Sequence, residues 1–188
     1  MSHRTRRTLD GQHAVRVVAV PSVGVTGGLD HVIRAVAKAR RLGIKVLLHF
    51  APGTAVPNLT ALRTELGLTD GVDTSAQSLT DTFDEADLFV AAPLTPAENP
   101  SIFMAAARGL PILTYAASPT DAALAQAGGA TTIERGDANA LSAALIDLCR
   151  DREKLAATAE SSRGWAAAVT RDAVHRARAA LVRSAVGL

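Results

Sequence analysis

The sequence predicts an α/β fold with a mainly parallel sheet of about six strands, and three observations lead there. Short β-branched runs alternate with amphipathic segments of helical spacing, the pattern of βαβ units. Glycines punctuate the junctions at Gly43, Gly67 and Gly109. Hydrophobic residues make up 48% of 188 residues and charged residues 20%, enough apolar material for one packed core.

Residues 1–13 are polar and carry no periodicity, so they are expected to form a flexible N-terminal segment ahead of a single domain, 14–188. Val15 to Val20 is a β-branched run ended by Pro21, a buried strand. A Gly-rich turn, Ser22 to Gly28, follows. Leu29, Val32, Ile33, Val36, Ala37 and Arg40 then recur at helical spacing up to Gly43. Ile44 to Phe50 is the second strand, and Leu59, Leu62, Arg63 and Leu66 mark a helix stopped by Gly67. A weaker strand is expected near Gly71–Thr74, a short helix at Leu79–Glu85 and a strand at Asp87–Ala91. A helix covers about Pro100 to Arg108, with proline tolerated in the first turn. Pro111–Tyr115 is a strand, Thr120–Ala127 a helix and Ala130–Glu134 the last strand. Helices at Ala138–Cys149, Arg152–Ser162 and Trp165–Arg183 complete the chain. Right-handed crossovers turn such a series into a Rossmann-like three-layer α/β/α sandwich.

Composition excludes several classes. No apolar stretch approaches the ~20 residues of a membrane-spanning helix, and Met1–Arg7 lacks the apolar stretch of a secretory signal. The single cysteine, Cys149, permits neither an internal disulfide nor a cysteine-based metal cluster, and a buried small apolar role is expected for it. A cytoplasmic location is the expectation, with no metal and no cofactor. The net charge of +2 does not indicate nucleic-acid binding, because aromatics are only 3% and the basic residues are dispersed. Arg4, Arg6 and Arg7 do cluster, in a segment expected to be a solvated tail. No Ser-His-Asp spacing, HExxH, CxxC or P-loop lysine motif is present.

The run Glu85-Ala-Asp-Leu-Phe-Val-Ala-Ala-Pro-Leu-Thr-Pro-Ala-Glu98-Asn-Pro-Ser-Ile-Phe-Met-Ala-Ala-Ala-Arg-Gly109-Leu-Pro-Ile-Leu reads as strand, glutamate-bearing loop, helix, tight turn and strand. It places a carboxylate and a helix N-terminus at the carboxyl end of a parallel sheet, where open α/β folds bind ligands. The run resembles the signature segment of retaining GT-B glycosyltransferases of family 4, the group 1 type. Gly28-Leu-Asp with Val32-Ile-Arg-Ala, and Gly136-Asp with Leu141-Ser-Ala-Ala-Leu-Ile-Asp-Leu, extend the resemblance, and Asp151 with Leu155-Ala and Trp165 carry it to the end of the chain. The resemblance implies the C-terminal, donor-nucleotide-binding half of such an enzyme. The donor substrate is then a nucleotide-diphosphate sugar, and transfer needs an acceptor-binding N-terminal half.

The same resemblance assigns site residues. Glu98 takes the place of the first signature glutamate, beside the donor sugar, where a carboxylate helps stabilise an oxocarbenium-like centre. An exposed loop carboxylate is the alternative. Ser22 and Gly27 stand where the family has an Arg and a Lys that neutralise phosphates, and Gly27 and Gly28 bring backbone amides toward a diphosphate or form a plain turn. Free amides are expected at Ser101 and Ile102, an anion site in which the Ser101 hydroxyl adds a hydrogen bond or merely caps the helix. Ser75, Ala76 and Gln77 follow the third strand, at the nucleobase. The second signature glutamate is replaced by alanine, Ala105 or Ala106 by register, which leaves open a non-catalytic scaffold or regulatory subunit with weak or no donor binding. A stand-alone binding module for another nucleotide or small anion is a third reading. His49 is expected to be a satisfied core histidine, and His31 to lie on a solvated helix face.

Overall fold

The computed structural model describes residues 13–20, 28–52, 59–68, 70–75 and 78–170, with 172, 175–176, 179–180 and 183. The N-terminal segment up to residue 12, Ser22, Gly27, Ala76 and Gln77 lie outside them. In chain order the elements are β1 (Val15–Ala19), α1 (Leu29–Arg41), β2 (Val46–Phe50), α2 (Leu59–Leu66), β3 (Val72–Asp73), α3 (Leu79–Glu85), β4 (Leu88–Ala91), α4 (Ser101–Ala107), β5 (Ile112–Tyr115), α5 (Pro119–Gln126), β6 (Ala130–Ile133), α6 (Ala138–Arg150) and α7 (Arg152–Ala168). All five strand pairings are parallel, in the order β3-β2-β1-β4-β5-β6.

Strand alternation sorts the core into two layers. Val15, Val17 and Ala19 of β1, Val46, Leu48 and Phe50 of β2, and Leu113 and Tyr115 of β5 pack with α1 and with Leu141, Leu145 and Leu148 of α6. Val18, Phe89, Ala91 and Ile112 face the opposite way, onto Phe83 of α3, Ile102 of α4, Leu124 of α5 and Trp165 of α7. Leu88 and Val90 lie in the first cluster while Phe89 and Ala91 lie in the second, so this central strand is buried on both faces. Side-chain caps set the starts of several helices: Ser78 for α3, Asp137 for α6 and Asp151 for α7 each accept an amide of the first turn. At α5 a reciprocal box joins Ser118 and Asp121.

One element departs from expectation. The sequence predicts a break between Ser162 and Trp165, yet α7 runs unbroken through Gly164 to Ala168, and the turn comes at Val169. A glycine inside a helix costs about 1 kcal/mol. Here it is offset by tertiary packing beside it: Trp165 sets its ring 5.6 Å from that of Phe103. Trp165 therefore lies in the last turns of α7 and does not open a new helix. Among the described residues no helix is long and apolar enough to cross a membrane.

Candidate functional site

The strand order reverses between β1 and β4, and the crevice outside the carboxyl ends of these two strands is the topological switch point of the sheet. The loops that border it meet at Gly28. This residue precedes α1 with φ +90°, and a Cβ built on it falls 1.7 Å from the carbonyl oxygen of Ala92, just past β4. Only a residue without a side chain lets the two loops approach this closely. No side chain caps α1.

Glu98 is exposed in the β4–α4 loop, with Leu94, Thr95 and Pro96 also exposed before it. Asn99, the next residue, is 3% exposed and organises the start of α4. Its Oδ1 accepts the Ser101 amide at 3.0 Å, and its carbonyl accepts the Ile102 amide at 3.0 Å. The expectation of free amides at Ser101 and Ile102 is thus corrected: the asparagine consumes both. The Ile102 side chain is buried in the second core cluster.

Beyond β5, Asp121 closes the box at the start of α5. Its Oδ2 accepts the amides of Ala117 and Ser118 at 3.0 and 2.9 Å and the Ser118 hydroxyl at 3.0 Å. Burial pushes the Asp121 carboxyl above its ordinary range against these hydrogen bonds, and the negative charge of Glu98 adds to the rise. Asp121 Oδ1 and Asn99 Nδ2 are both buried with no hydrogen-bond partner among the described residues.

At the edge of the sheet, Ser75 follows β3 and closes a turn on it. Its amide and hydroxyl donate to Asp73 Oδ1 at 2.8 and 2.6 Å, and these bonds hold the Asp73 carboxyl below its ordinary range. Asp73 Oδ2 lies 3.3 Å from His49 Nδ1. Burial lowers the His49 pKa despite that carboxylate, and His49 Nε2 is buried without a partner among the described residues, so the histidine is only half satisfied.

His31 is corrected more fully. It is not on a solvated face: its side chain is 21% exposed, and Nδ1 stands 2.8 Å from the hydroxyl of the fully buried Tyr115. Burial, with Asp137 and Asp30 nearby, pushes the Tyr115 phenol up to about 12, so it stays protonated. Arg135 donates to the carbonyl of Ala116 at 3.0 Å, which brings a cation to the same end of β5.

The positions compared with the second signature glutamate are buried. Ala105 and Ala106 are 0% exposed in the second cluster. Counted back from Gly109 on the spacing Glu-Ala-x-Ala-x-Gly, the place falls on the half-buried Met104 instead of Ala105, so no register supplies a carboxylate. Sequence reasoning missed Asn99, Asp121, Tyr115 and Arg135. Asn-Pro-Ser ahead of a helix and Ser-Pro-Thr-Asp, a cap followed by proline in the first turn, were the available signals for the first two. Among the described residues no group of three or more His, Cys, Asp or Glu side chains is placed to hold a metal ion.

No protein-family model matches the chain, and no curated protein matches it. Solved structures do. WaaG, a glycosyltransferase involved in lipopolysaccharide biosynthesis, superposes with a TM-score of 0.74 at 23% identity, over 86% of this chain and 44% of WaaG. The fold is shared with glycosyltransferases. Anabaena HepE, crystallised in complex with UDP-glucose, gives a TM-score of 0.73 at 19% identity, over 97% of this chain and 51% of HepE. The C-terminal domain of LpcC, a glycosyl transferase group 1 family protein from Francisella tularensis, gives 0.67 at 13% identity, over 80% of this chain and 83% of that domain. At these identities the likeness is one of fold. The chain spans about half the length of WaaG and HepE.

Proposed function

We propose that this chain is the sugar-nucleotide-binding, C-terminal-type domain of a retaining GT-B glycosyltransferase of group 1, with 14–188 acting as one unit. It transfers a sugar only together with an acceptor-binding N-terminal half. The observation that carries the reading is the backbone contact of Gly28 with Ala92, which joins the two loops of the switch-point crevice. The likeness in fold to the separate C-terminal domain of LpcC, and to HepE with UDP-glucose, supports it.

In this reading the diphosphate lies over the β1–α1 turn, with Ser22, Gly27 and Gly28 lining it and the Ser101 hydroxyl on its other side. Ser75 lies toward the nucleobase. The Glu98 carboxylate stands beside the sugar and offsets the positive charge that develops at the anomeric carbon as the diphosphate leaves. With neither Ser22 nor Gly27 cationic, the phosphates are held chiefly by neutral donors, so we infer weak intrinsic affinity that the missing half strengthens. A cytoplasmic location belongs to the same proposal.

One observation favours a second reading, a non-catalytic scaffold with weak or no donor binding: the Ser101 and Ile102 amides are already engaged by Asn99. Thermal unfolding with UDP, GDP, ADP and their common sugar conjugates at millimolar concentration separates the two. A ligand at a hundred times its dissociation constant stabilises by ~2.7 kcal/mol, roughly 5–10 °C for a domain of this size. A shift specific to one base supports the donor-binding reading. Cooperative unfolding with no shift for any nucleotide supports the scaffold.

A further inference from the structure

The first turn of α1 is held to the sheet at two adjacent points. Gly28 lies against the Ala92 carbonyl oxygen just past β4. Three residues on, His31 Nδ1 stands 2.8 Å from the Tyr115 hydroxyl at the end of β5, with the two rings edge to face at 6.0 Å. Ala91 and Thr114 are partners in the β4–β5 ladder, so the next residues along, Ala92 and Tyr115, stand side by side. Both belong with Leu29 of α1 to the first core cluster.

Packing alone does not account for the second contact. A phenylalanine would fill the place of Tyr115, whereas the hydroxyl brings a polar atom into a fully buried position. Burial, with Asp137 and Asp30 nearby, keeps that hydroxyl protonated, so it donates to His31 Nδ1. Neutral His31 then carries its proton on Nε2, the nitrogen that faces Asp30 Oδ2 at 3.9 Å. A buried partner on another element therefore sets the orientation of the ring.

What the contact holds is the set of amides at the start of α1. They have no intrahelical acceptor, and among the described residues no side chain caps the helix. Gly28 has no side chain with which to anchor the turn, so the direction of these donors depends on the next residues. Donors fixed before a ligand arrives bind it better than donors that must first be ordered.

We propose that Tyr115 and His31 are positioning residues for the switch-point crevice: their hydrogen bond locks the first turn of α1 over the ends of β4 and β5 and so aims its amides at the diphosphate. Neither side chain touches the ligand. The assignment rests on the donor-binding reading above and adds to it the device that preorganises the phosphate end.

The test compares Tyr115→Phe, His31→Leu, His31→Asn and His31→Gln with the wild type, free and titrated with UDP, GDP and ADP. Asparagine keeps an acceptor where Nδ1 stands, glutamine places its amide nearer Nε2, and leucine keeps bulk alone. In the free protein, long-range proton–nitrogen spectra are expected to show neutral His31 protonated on Nε2, a preference that Tyr115→Phe loses. The Val32 amide closes the first turn on the Gly28 carbonyl at 3.2 Å. Its hydrogen exchange is expected to quicken about tenfold in Tyr115→Phe and His31→Leu, with Ala37 in mid-helix unchanged. The nucleotide Kd is expected to rise about fivefold in the same two variants and to stay near the wild type in His31→Asn. Neutral His31 protonated on Nδ1, unchanged exchange at Val32, or exchange that quickens equally at Val32 and Ala37 overturns the assignment. Affinity kept by His31→Gln and lost in His31→Asn overturns it too, since His31 would then touch the ligand through Nε2. Each of these outcomes leaves the donor-binding reading standing. A wild type that binds no nucleotide overturns both.

Discussion

Gly28→Ala tests how the crevice is built. The glycine has φ +90°, and a Cβ there meets the Ala92 carbonyl oxygen at 1.7 Å and its carbon at 2.8 Å, where ordinary contact begins near 3.4 Å. The two loops must therefore part by about 1.7 Å, or α1 must unwind at its start. The left-handed conformation alone costs an alanine roughly 1–2 kcal/mol, and forcing atoms into a packed contact adds about 1–3 kcal/mol. Gly43 supplies the control, since it has φ +78° with nothing within 4 Å of a built Cβ. Gly43→Ala carries only the first cost, so the difference between the variants isolates the clash. At about 2–4 °C per kcal/mol for a domain of this size, Gly28→Ala is expected to melt at least ~2–4 °C below Gly43→Ala. It is also expected to lose most of any nucleotide-induced shift, whereas Gly43→Ala keeps it. Equal melting temperatures for the two would refute the idea that these loops are locked backbone to backbone.

Four further outcomes are expected. Glu98→Ala, at an exposed loop position, leaves the melting temperature within ~2 °C of the wild type and abolishes sugar transfer in the assembled enzyme; unchanged turnover removes Glu98 from the mechanism. Ser118→Ala breaks the box at α5 and lowers stability by ~1 kcal/mol in denaturant titration, and no change there would mean that the Asp121 bonds suffice. Because burial depresses the His49 pKa in the folded state, the unfolded chain takes up that proton first as pH falls below the ordinary value of 6.5. The His49 contribution to stability is thus present above that value and lost on acidification toward the folded pKa. The denaturant midpoint should fall between pH 7.5 and 5.5 less steeply in His49→Gln than in the wild type, and parallel slopes would contradict this. Cys149 is buried, which pushes its thiol up to about 12, so it should resist a thiol reagent in native protein and react fully once unfolded.

The layout of the sheet was readable because it rests on local signals. The run Val15–Val20, the apolar spacing of α1 and the glycines Gly43, Gly67 and Gly109 with positive φ each act within a few residues. Among the described residues α7 departs from expectation, since Gly164 looks like a break until the packing of Trp165 on Phe103 is known. That contact is tertiary and leaves no local trace. The site was less legible for the same reason. Glu98 could be placed from its loop, but the engagement of the Ser101 and Ile102 amides depends on how Asn99 folds back over α4. The partnership of His31 with Tyr115 joins residues 84 apart in the chain. Burial of Asp121 likewise depends on where α5 docks, which a capping pattern alone does not state.

The most direct test of the central claim is to locate where a nucleotide sugar touches the chain. Amide NMR spectra of the labelled protein, titrated with UDP-glucose, GDP-mannose and ADP-glucose, provide it. For one base, saturable shifts are expected at Gly28, Leu29, Ala92, Glu98, Asn99 and Ser101, the two sides of the switch-point crevice, with α2 and the end of α6 unmoved. Spectra unchanged by every nucleotide sugar, or shifts confined to residues away from the carboxyl edge of the sheet, would contradict the account.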